Sequence, residues 1–180
     1  MYRIMSNIMN EFQNEFMIEA LEEAKKALLL NEIPIGAVIE KDGVIIGRGH
    51  NRTETDRDTT AHAEMVAIRQ ASKYLGDTLG WRRLTGCNMY VTMEPCSMCA
   101  GALVWARIEN LYIGVRDPKA GGCGSVLNIV QDQRLNHQVN VIEMEESAVK
   151  EQCGQIVKDF FRELRDLQKL SKKKDEETTK

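Results

Sequence analysis

The chain has 180 residues, 43% of them apolar, so it can bury one continuous hydrophobic core and is not expected to contain a second folded domain. Its formal charge of −3 gives no general attraction to nucleic acid, so a polyanionic partner would have to bind local basic patches. The first ten residues lack a secretory signal, and no segment has the length and apolarity needed to span a bilayer. These features predict a cytoplasmic protein that does not enter membranes.

Hydrophobic periodicity predicts four helices and five strands. In chain order they are a helix that stops near residue 31, strands at 35–40 and 44–47, a helix at 61–73, a strand at 89–92, a helix at 97–106, strands at 111–115 and 139–142, and a last helix at 147–170. Asp42-Gly43 supplies the turn between the first two strands. After this hairpin, strands alternate with helices, which favours a three-layer α/β/α domain with a mixed sheet of about five strands.

We expect the folded domain to occupy residues 15–170. An N-terminal extension, residues 1–14, precedes it, and a charged tail, residues 171–180, follows it. The tail has no apolar anchor, so we expect it to be disordered.

Five cysteines are present, and only Cys96 and Cys99 form a tight pair. An odd number with one close pair favours metal or redox chemistry over a disulfide framework. The three-residue spacing places both sulfurs on one face of a first helical turn, where a single ion can meet them. Cys87 and Cys153 are expected to be small buried apolar residues, and Trp105 is expected to fill the core.

His62 and Glu64 stand at the start of the second predicted helix. Residues two apart in a helix point about 200° away from each other, so these side chains can serve one site only at the helix end. His62 would complete three ligands for Zn²⁺, which leaves a fourth position open to water, as in catalytic sites. Glu64 lies outside the ligand set and could therefore accept and donate protons.

Simpler roles remain open for these residues. The metal ligands could form a structural site or be unrelated buried groups, and Glu64 could be a helix-capping carboxylate. His50 and His137 are not assigned to the metal.

The motifs H-x-E at His62 and P-C-x-x-C at Pro95 are together the known signature of zinc-dependent nucleobase deaminases. The chain resembles the zinc-dependent cytidine deaminase superfamily and, within it, the bacterial tRNA-specific adenosine deaminases. The narrower resemblance rests on residues 60–65, 91–102, 116–121, 135–137 and 159–162. The resemblance implies a cytidine-deaminase-like fold and covers roughly residues 15–165.

This resemblance implies hydrolytic deamination of adenosine to inosine at the wobble position of a tRNA anticodon loop. One Zn²⁺ per subunit would be held by His62, Cys96 and Cys99. Glu64 would protonate the ring nitrogen and then the departing amine. The target base must leave the stack, which costs less in a single-stranded loop than in a duplex. The resemblance also implies a homodimer.

Three residues would contact the target base, according to the resemblance. Asn51 would hydrogen-bond it, the backbone N–H of Ala63 would contact it, and Ile35 would help to wall the pocket. On the residues alone, Asn51 is as easily explained by turn geometry, which Asn commonly serves in loops.

Asp117 with its loop, and Phe160 or Phe161, would contact the nucleotides that flank the base, again by resemblance. Four basic residues on the last helix are spaced four, three and four apart and form one stripe: Lys158, Arg162, Arg165 and Lys169. The stripe is either a track for tRNA phosphates or a solvated face whose field is diluted by neighbouring acids.

Two other functions are weighed against this one. The protein could deaminate a free base or nucleoside such as guanine or cytidine. It could also be a catalytically silent zinc module that only binds RNA or a partner. The intact Glu64 counts against the silent module.

Overall fold

Four helices and five strands form the described part of the chain. The computed structural model describes the backbone of residues 2–80 and 83–178, and the side chains of residues 14–80 and 83–171. The elements are α1 (Tyr2–Leu29), β1 (Gly36–Lys41), β2 (Val44–His50), α2 (Ala63–Leu79), β3 (Asn88–Met93), α3 (Ser97–Ala106), β4 (Asn110–Val115), β5 (Asn140–Glu143) and α4 (Ala148–Thr178). Their types and order match the sequence prediction.

The five strands form one mixed sheet in the order β2-β1-β3-β4-β5. Strand β1 is antiparallel to both β2 and β3, whereas β3, β4 and β5 are parallel. Strands β2, β3 and β4 therefore run in the same direction. Their carboxyl ends lie at one edge of the sheet, which is where α/β proteins commonly place ligand sites.

Helices cover both faces of this sheet. Helices α2 and α3 pack on one face, where their buried residues join a cluster that includes Ile39, Met89 and Leu111. Residues of α1 and α4 form the second cluster on the other face, around Val38 and Tyr90. The predicted three-layer α/β/α architecture is confirmed.

Strand β2 lies very close to α2 because glycine faces an alanine-rich helix surface. A Cβ atom added at Gly49 would stand 2.1 Å from the carbonyl oxygen of Ala63 and 2.6 Å from the backbone nitrogen of Ala67. Ala63, Ala67 and Ala71 are all fully buried. Small residues on both sides therefore fix the distance between the sheet and the first turn of α2.

A chain of side-chain hydrogen bonds crosses four strands at the opposite edge of the sheet. Asn140 donates to Asn110 at 3.0 Å, Asn110 donates to Asn88 at 2.7 Å, and Asn88 donates to Glu40 at 2.7 Å. Asn110 and Asn88 each donate through the amide nitrogen on one side and accept through the amide oxygen on the other. The Glu40 carboxylate at the end of this series can only accept hydrogen bonds. It therefore fixes the direction in which each asparagine donates.

The helix ends differ from the prediction. Helix α4 continues to Thr178 rather than ending at Leu170, so the segment predicted to be disordered is helical as far as Thr178. Its Lys and Glu residues have high helix propensity and extend an existing helix without an apolar anchor. Helix α1 likewise begins at Tyr2 and includes most of the predicted extension. The domain limits at residues 15 and 170 stay a prediction.

The predicted core residues have mixed outcomes. Cys87 and Cys153 are fully buried, as expected. The prediction for Trp105 was wrong, since this side chain is 78% exposed. Helix α3 turns Cys99 and Leu103 toward the interior, and Trp105 lies on its outer side.

None of the helices in the described part of the chain combines the length and the apolar character that a membrane span requires.

We expect Gly49→Ala to lower the free energy of unfolding by at least about 2 kcal/mol, because the new methyl group would collide with the backbone of α2. The matched control is Gly154→Ala in α4, where the nearest atom to an added Cβ is 3.4 Å away. That variant should gain about 0.5–1 kcal/mol, because alanine favours helix. Urea unfolding monitored by circular dichroism measures the free energy of unfolding of both variants. Equal stability of the two variants would contradict the close packing of β2 on α2.

Candidate metal centre and substrate groove

Four segments meet at the edge of the sheet where β2, β3 and β4 end. Asn51 directly follows β2, Cys96 follows β3 after a two-residue turn, and Asp117 follows β4. Ile35 precedes β1, which runs in the opposite direction and so begins at this edge. The topology therefore gathers residues that are far apart in the sequence.

His62, Cys96 and Cys99 form a cluster at this edge. His62 is the N-cap of α2, Cys96 is the N-cap of α3, and Cys99 lies in the first turn of α3. The Nδ1 atom of His62 is 3.6 Å from the Sγ atom of each cysteine. Among the residues whose side chains are described, this is the one group of at least three metal-ligating side chains whose ligand atoms all lie within 4.8 Å.

The spacing of these atoms fits a tetrahedral metal ion. Zinc–sulfur and zinc–nitrogen bonds of about 2.3 and 2.0–2.1 Å at a tetrahedral angle separate the sulfur and nitrogen atoms by about 3.6 Å. Both observed distances from His62 have this value. Two sulfurs and one imidazole are also a donor set that zinc prefers. The residues present therefore fit the ion that the sequence implied.

The electrostatics of the cluster also favour a cation. Hydrogen bonds from Cys99 and His62 lower the pKa of the Cys96 thiol to about 3. The hydrogen bond to Cys96, together with burial, raises the pKa of Cys99. The opposed shifts show that the two sulfurs interact strongly, and a divalent cation would stabilise both as thiolates. The positive ends of α2 and α3 at their first turns act in the same direction.

Glu64 lies beside this cluster. It is in the first turn of α2, its side chain is buried, and its charge interacts with Cys96 and His62. Burial is the main reason that the pKa of Glu64 is raised. A carboxyl group with a raised pKa can both accept and donate a proton near neutral pH.

Asn51 is buried between two parts of the site. Its backbone N–H donates to the carbonyl of Ile35 at 3.1 Å, and the next residue, Arg52, donates to the carbonyl of Ala61 at 2.9 Å. The first bond ties Asn51 to the residue that precedes β1, and the second ties its loop to the residue before His62. The predicted base-binding residue is therefore adjacent to the candidate metal centre.

An open groove of about 490 Å³ lies at the same edge. Ile35, Asp117 and Phe161 all line it, which brings together three of the predicted substrate residues. Phe160 is not among the lining residues. Its ring packs edge-on against the ring of Phe161 at 5.4 Å. Of the two candidate phenylalanines, Phe161 is thus the one that faces the groove.

The basic stripe on α4 is only partly available for a ligand. Arg162 is paired with Asp159 at 2.7 Å, and Lys169 is paired with Asp166 at 3.3 Å. Lys158 and Arg165, by contrast, line the groove, as does Lys119 from the loop after β4. Three cations therefore stand at the groove.

Glu94 is a site residue that the sequence analysis missed. Its buried carboxylate accepts hydrogen bonds from the backbone N–H groups of Asp117, Cys123 and Ser125 at 3.0–3.1 Å, and from the hydroxyl of Ser125. Arg116 approaches it at 3.4 Å. Although burial opposes it, these hydrogen bonds hold the pKa of Glu94 below its ordinary value. Glu94 thus joins the loop after β4 to the turn that carries Cys96.

Gly121 and Gly122 are the feature of the sequence that could have indicated a role for Glu94, because they lie in the loop that packs against it. A Cβ atom added at Gly121 would stand 2.4 Å from the carboxyl carbon of Glu94. Gly122 donates its N–H to the carbonyl of Pro95 at 2.7 Å. Glycine is therefore required at positions 121 and 122, where the loop packs against the Glu94 carboxylate and against the turn that precedes Cys96.

Comparison with known proteins identifies the family. A family model described as MafB19-like deaminase matches residues 10–165. A tRNA-specific adenosine deaminase of Bacillus subtilis (strain 168) is 47% identical over 155 residues, which cover 86% of this chain and 92% of the relative. The chain belongs to the tRNA-specific adenosine deaminase family.

The fold of this chain is similar to the folds of solved deaminase structures. A structure from studies of A-to-I editing by tRNA:A34 deaminases at the wobble position of transfer RNA has a TM-score of 0.71 and 41% identity, covering 79% of this chain and 98% of that one. The guanine deaminase of Bacillus subtilis has a TM-score of 0.52 and 41% identity, covering 57% of this chain and 63% of that one. Both similar structures are deaminases, so the fold of this chain agrees with the family that its sequence identity shows.

We expect Glu94→Gln to lower the free energy of unfolding by about 1–3 kcal/mol at pH 7, because an amide nitrogen would face backbone donors. A carboxylate with a lowered pKa stabilises the fold above its ordinary pKa of 4.5 and loses this contribution as the pH falls below it. The difference from wild type should therefore shrink on acidification. The control is Glu143→Gln, which removes an exposed partner of Arg116. Urea unfolding at several pH values measures both, and a pH-independent difference would contradict this role.

Proposed function

We propose that this protein is a zinc-dependent hydrolase that converts adenosine to inosine at the wobble position of tRNA. One observation carries the proposal: a ligand set for zinc and a buried carboxylate lie at the edge of the sheet that also carries a groove flanked by cations. The Bacillus subtilis relative that is 47% identical to this chain is a tRNA-specific adenosine deaminase. The proposal includes the cytoplasmic location predicted from the sequence.

His62, Cys96 and Cys99 would hold the metal. Zn²⁺ bound by these residues would supply a Lewis acid that lowers the pKa of water to near neutrality. With the metal bound, the protein would contribute two thiolates and a neutral imidazole, so the complex would carry no net charge. The starts of α2 and α3 orient these side chains, because His62 and Cys96 are the N-caps of those helices.

Glu64 would move protons during the reaction. Its carboxylate would accept the proton that water loses and deliver it to the ring nitrogen. It would then accept a second proton, from the hydroxyl group formed at the attacked carbon, and deliver it to the amine, which leaves as ammonia while the carbonyl forms. Its position beside Cys99, but outside the ligand set, leaves it free to do so. Burial excludes competing water and raises its pKa, which suits repeated transfer near neutral pH.

Asn51, Ala63 and Ile35 would place the target base. Asn51 is buried, its loop is hydrogen-bonded to Ala61 next to His62, and it offers an amide for hydrogen bonding. Ala63 is the first residue of α2, where backbone N–H groups have no acceptor within the helix. Ile35 contributes an apolar wall that the groove shares.

The groove favours a polynucleotide over a free base. It is open, and Lys119, Lys158 and Arg165 line it with cations that a neutral free base would not need. Phe161 offers an aromatic face on which an unstacked base can pack, and Asp117 offers hydrogen-bond acceptors. Phe160 would support the ring of Phe161 rather than contact RNA itself. The flanking nucleotides of an anticodon loop match these features.

The proposal predicts that the purified protein forms inosine in an anticodon stem-loop with adenosine at the wobble position. Glu64→Ala should retain one zinc per chain and lose activity by about 10²–10⁴-fold, because general acid–base catalysis contributes this much. Mass spectrometry of the digested RNA detects inosine, and elemental analysis measures zinc.

Free guanine and cytidine are assayed in parallel. Turnover of these but not of the stem-loop would favour the free-base alternative. Zinc binding without turnover of any substrate would favour the silent module.

A second prediction separates the two kinds of cation on α4. Arg165→Ser, at the groove, should weaken stem-loop binding by about 3- to 10-fold and reduce its salt dependence, because one phosphate contact is lost. The matched control is Arg162→Ser, whose guanidinium is already paired with Asp159. Fluorescence anisotropy between 50 and 200 mM salt, a range in which such contacts are sensitive, measures both. Equal effects at the two positions would support a merely solvated face.

We also propose a homodimer, as the resemblance implies. The side chain of Trp105 on α3, which is 78% exposed, supports it, since aromatic residues are enriched in protein–protein interfaces relative to the rest of the surface.

Trp105→Glu should therefore convert the dimer to a monomer in sedimentation velocity experiments, because a charge would be buried in the interface. The control Val44→Glu replaces another exposed apolar residue, at the hairpin, and should remain dimeric. A monomeric wild-type protein would contradict the proposal.

A further inference from the structure

Glu32 is a buried acid that the mechanism above does not use. It lies in the linker between α1 and β1, and its residue is only 1% exposed. Leu30 and Glu32 both donate their N–H groups to the carbonyl of Ala27, and Asn31 adopts a left-handed conformation with φ 57°. The chain therefore turns sharply at the end of α1 and fixes Glu32 inside the protein.

Among the residues whose side chains are described, those that donate hydrogen bonds to the Glu32 carboxylate all belong to the loop that follows β2. The N–H of Thr55 donates to Oε1 at 2.7 Å. The hydroxyl of Thr53 and the side-chain Nδ2 of Asn51 both donate to Oε2 at 3.2 Å. Burial alone would raise the pKa of Glu32, but these hydrogen bonds outweigh it and lower the pKa. Glu32 is therefore a carboxylate that only accepts hydrogen bonds.

An acceptor at this place decides the orientation of the Asn51 amide. Because Glu32 cannot donate, the amide nitrogen of Asn51 must face it, and the amide oxygen must point away. Thr53 reinforces this orientation, since its proton goes to Glu32 and its oxygen accepts from Asn51 Nδ2 at 3.4 Å. Among the residues whose side chains are described, none donates a hydrogen bond to Oδ1 of Asn51.

The free end of Asn51 is also accessible. Within the described side chains, the one fully buried polar atom without a partner is Nε2 of His50, so Oδ1 of Asn51 is not sealed inside the protein. Backbone hydrogen bonds tie this loop to Ile35, which lines the groove, and to Ala61, which precedes His62. An amide at this position would meet the base in a defined orientation.

We propose that Glu32 is the positioning residue for Asn51 and holds its side-chain amide in the single orientation that binds the target base. This inference rests on the proposed function. The nitrogen and oxygen ends of an amide have nearly the same shape, so without a charged acceptor both orientations would be populated. A base would then meet the wrong hydrogen-bonding pattern in part of the molecules.

A double-mutant cycle on the full-length zinc enzyme tests this role. Glu32→Gln and Asn51→Ala should each lower kcat/KM for the stem-loop by about 10- to 100-fold, the range expected for a lost hydrogen bond to a charged group. If Glu32 acts through Asn51, the double variant should be no worse than Asn51→Ala alone. A double variant that shows the product of the two losses would overturn the proposal.

Glu40→Gln is the matched control for structural effects. Glu40 is also buried, and its carboxylate likewise accepts from a backbone N–H, that of Gly43, and from an asparagine side chain, that of Asn88. It lies at the opposite edge of the sheet. We expect a similar loss of thermal stability in both Gln variants, with kcat/KM unchanged for Glu40→Gln. An equal loss of kcat/KM in the two variants would overturn a positioning role for Glu32.

A measurement on the wild-type protein covers the case in which Glu32→Gln does not fold. The side-chain NH₂ protons of Asn51 should exchange with solvent at least about tenfold more slowly than those of exposed Asn128, because a buried carboxylate holds them. Equal exchange rates in the NMR spectrum would overturn the proposal. This readout needs no substrate, so it stays decisive even if wild-type protein forms no inosine and the proposed function fails.

Discussion

The central constraint on this structure is the placement of two sulfur atoms and one imidazole nitrogen around a single point. Each sulfur lies 3.6 Å from the nitrogen, although His62 and Cys96 belong to different helices. Such an arrangement requires that two helices begin at the same edge of the sheet. Glycine in β2 allows α2 to pack directly on the strand, and the short turn after β3 starts α3. The packing of the helices on the sheet therefore determines where these three atoms lie.

Buried carboxylates organise the irregular segments around this point. Glu94 gathers backbone N–H groups from the loop after β4, and Glu32 gathers donors from the loop after β2. Loops lack the regular hydrogen-bonding ladders of helices and strands, so their buried donors need other acceptors. A carboxylate supplies several lone pairs at one place, and the donors in turn offset the cost of burying its charge. Both loops that line the site are held in this way.

The elements and the cluster of His62, Cys96 and Cys99 were predictable from the sequence because their signals are local. Periodicity fixed the number and order of elements, and the spacing of Cys96 and Cys99 with the H-x-E motif predicted the ligand cluster. Glu32 and Glu94 were missed because their partners lie about twenty to thirty residues away, and no spacing rule connects them. Burial of Trp105 was predicted from its type, whereas its exposure depends on which side of α3 faces the sheet.

X-ray absorption at the zinc edge of the purified protein tests the central claim most directly. The account predicts one zinc ion per chain, with two sulfur neighbours at about 2.3 Å and nitrogen or oxygen neighbours at about 2.0–2.1 Å. A shell that contains no sulfur, or that contains four sulfur atoms, would contradict the assignment of His62, Cys96 and Cys99 as its ligands.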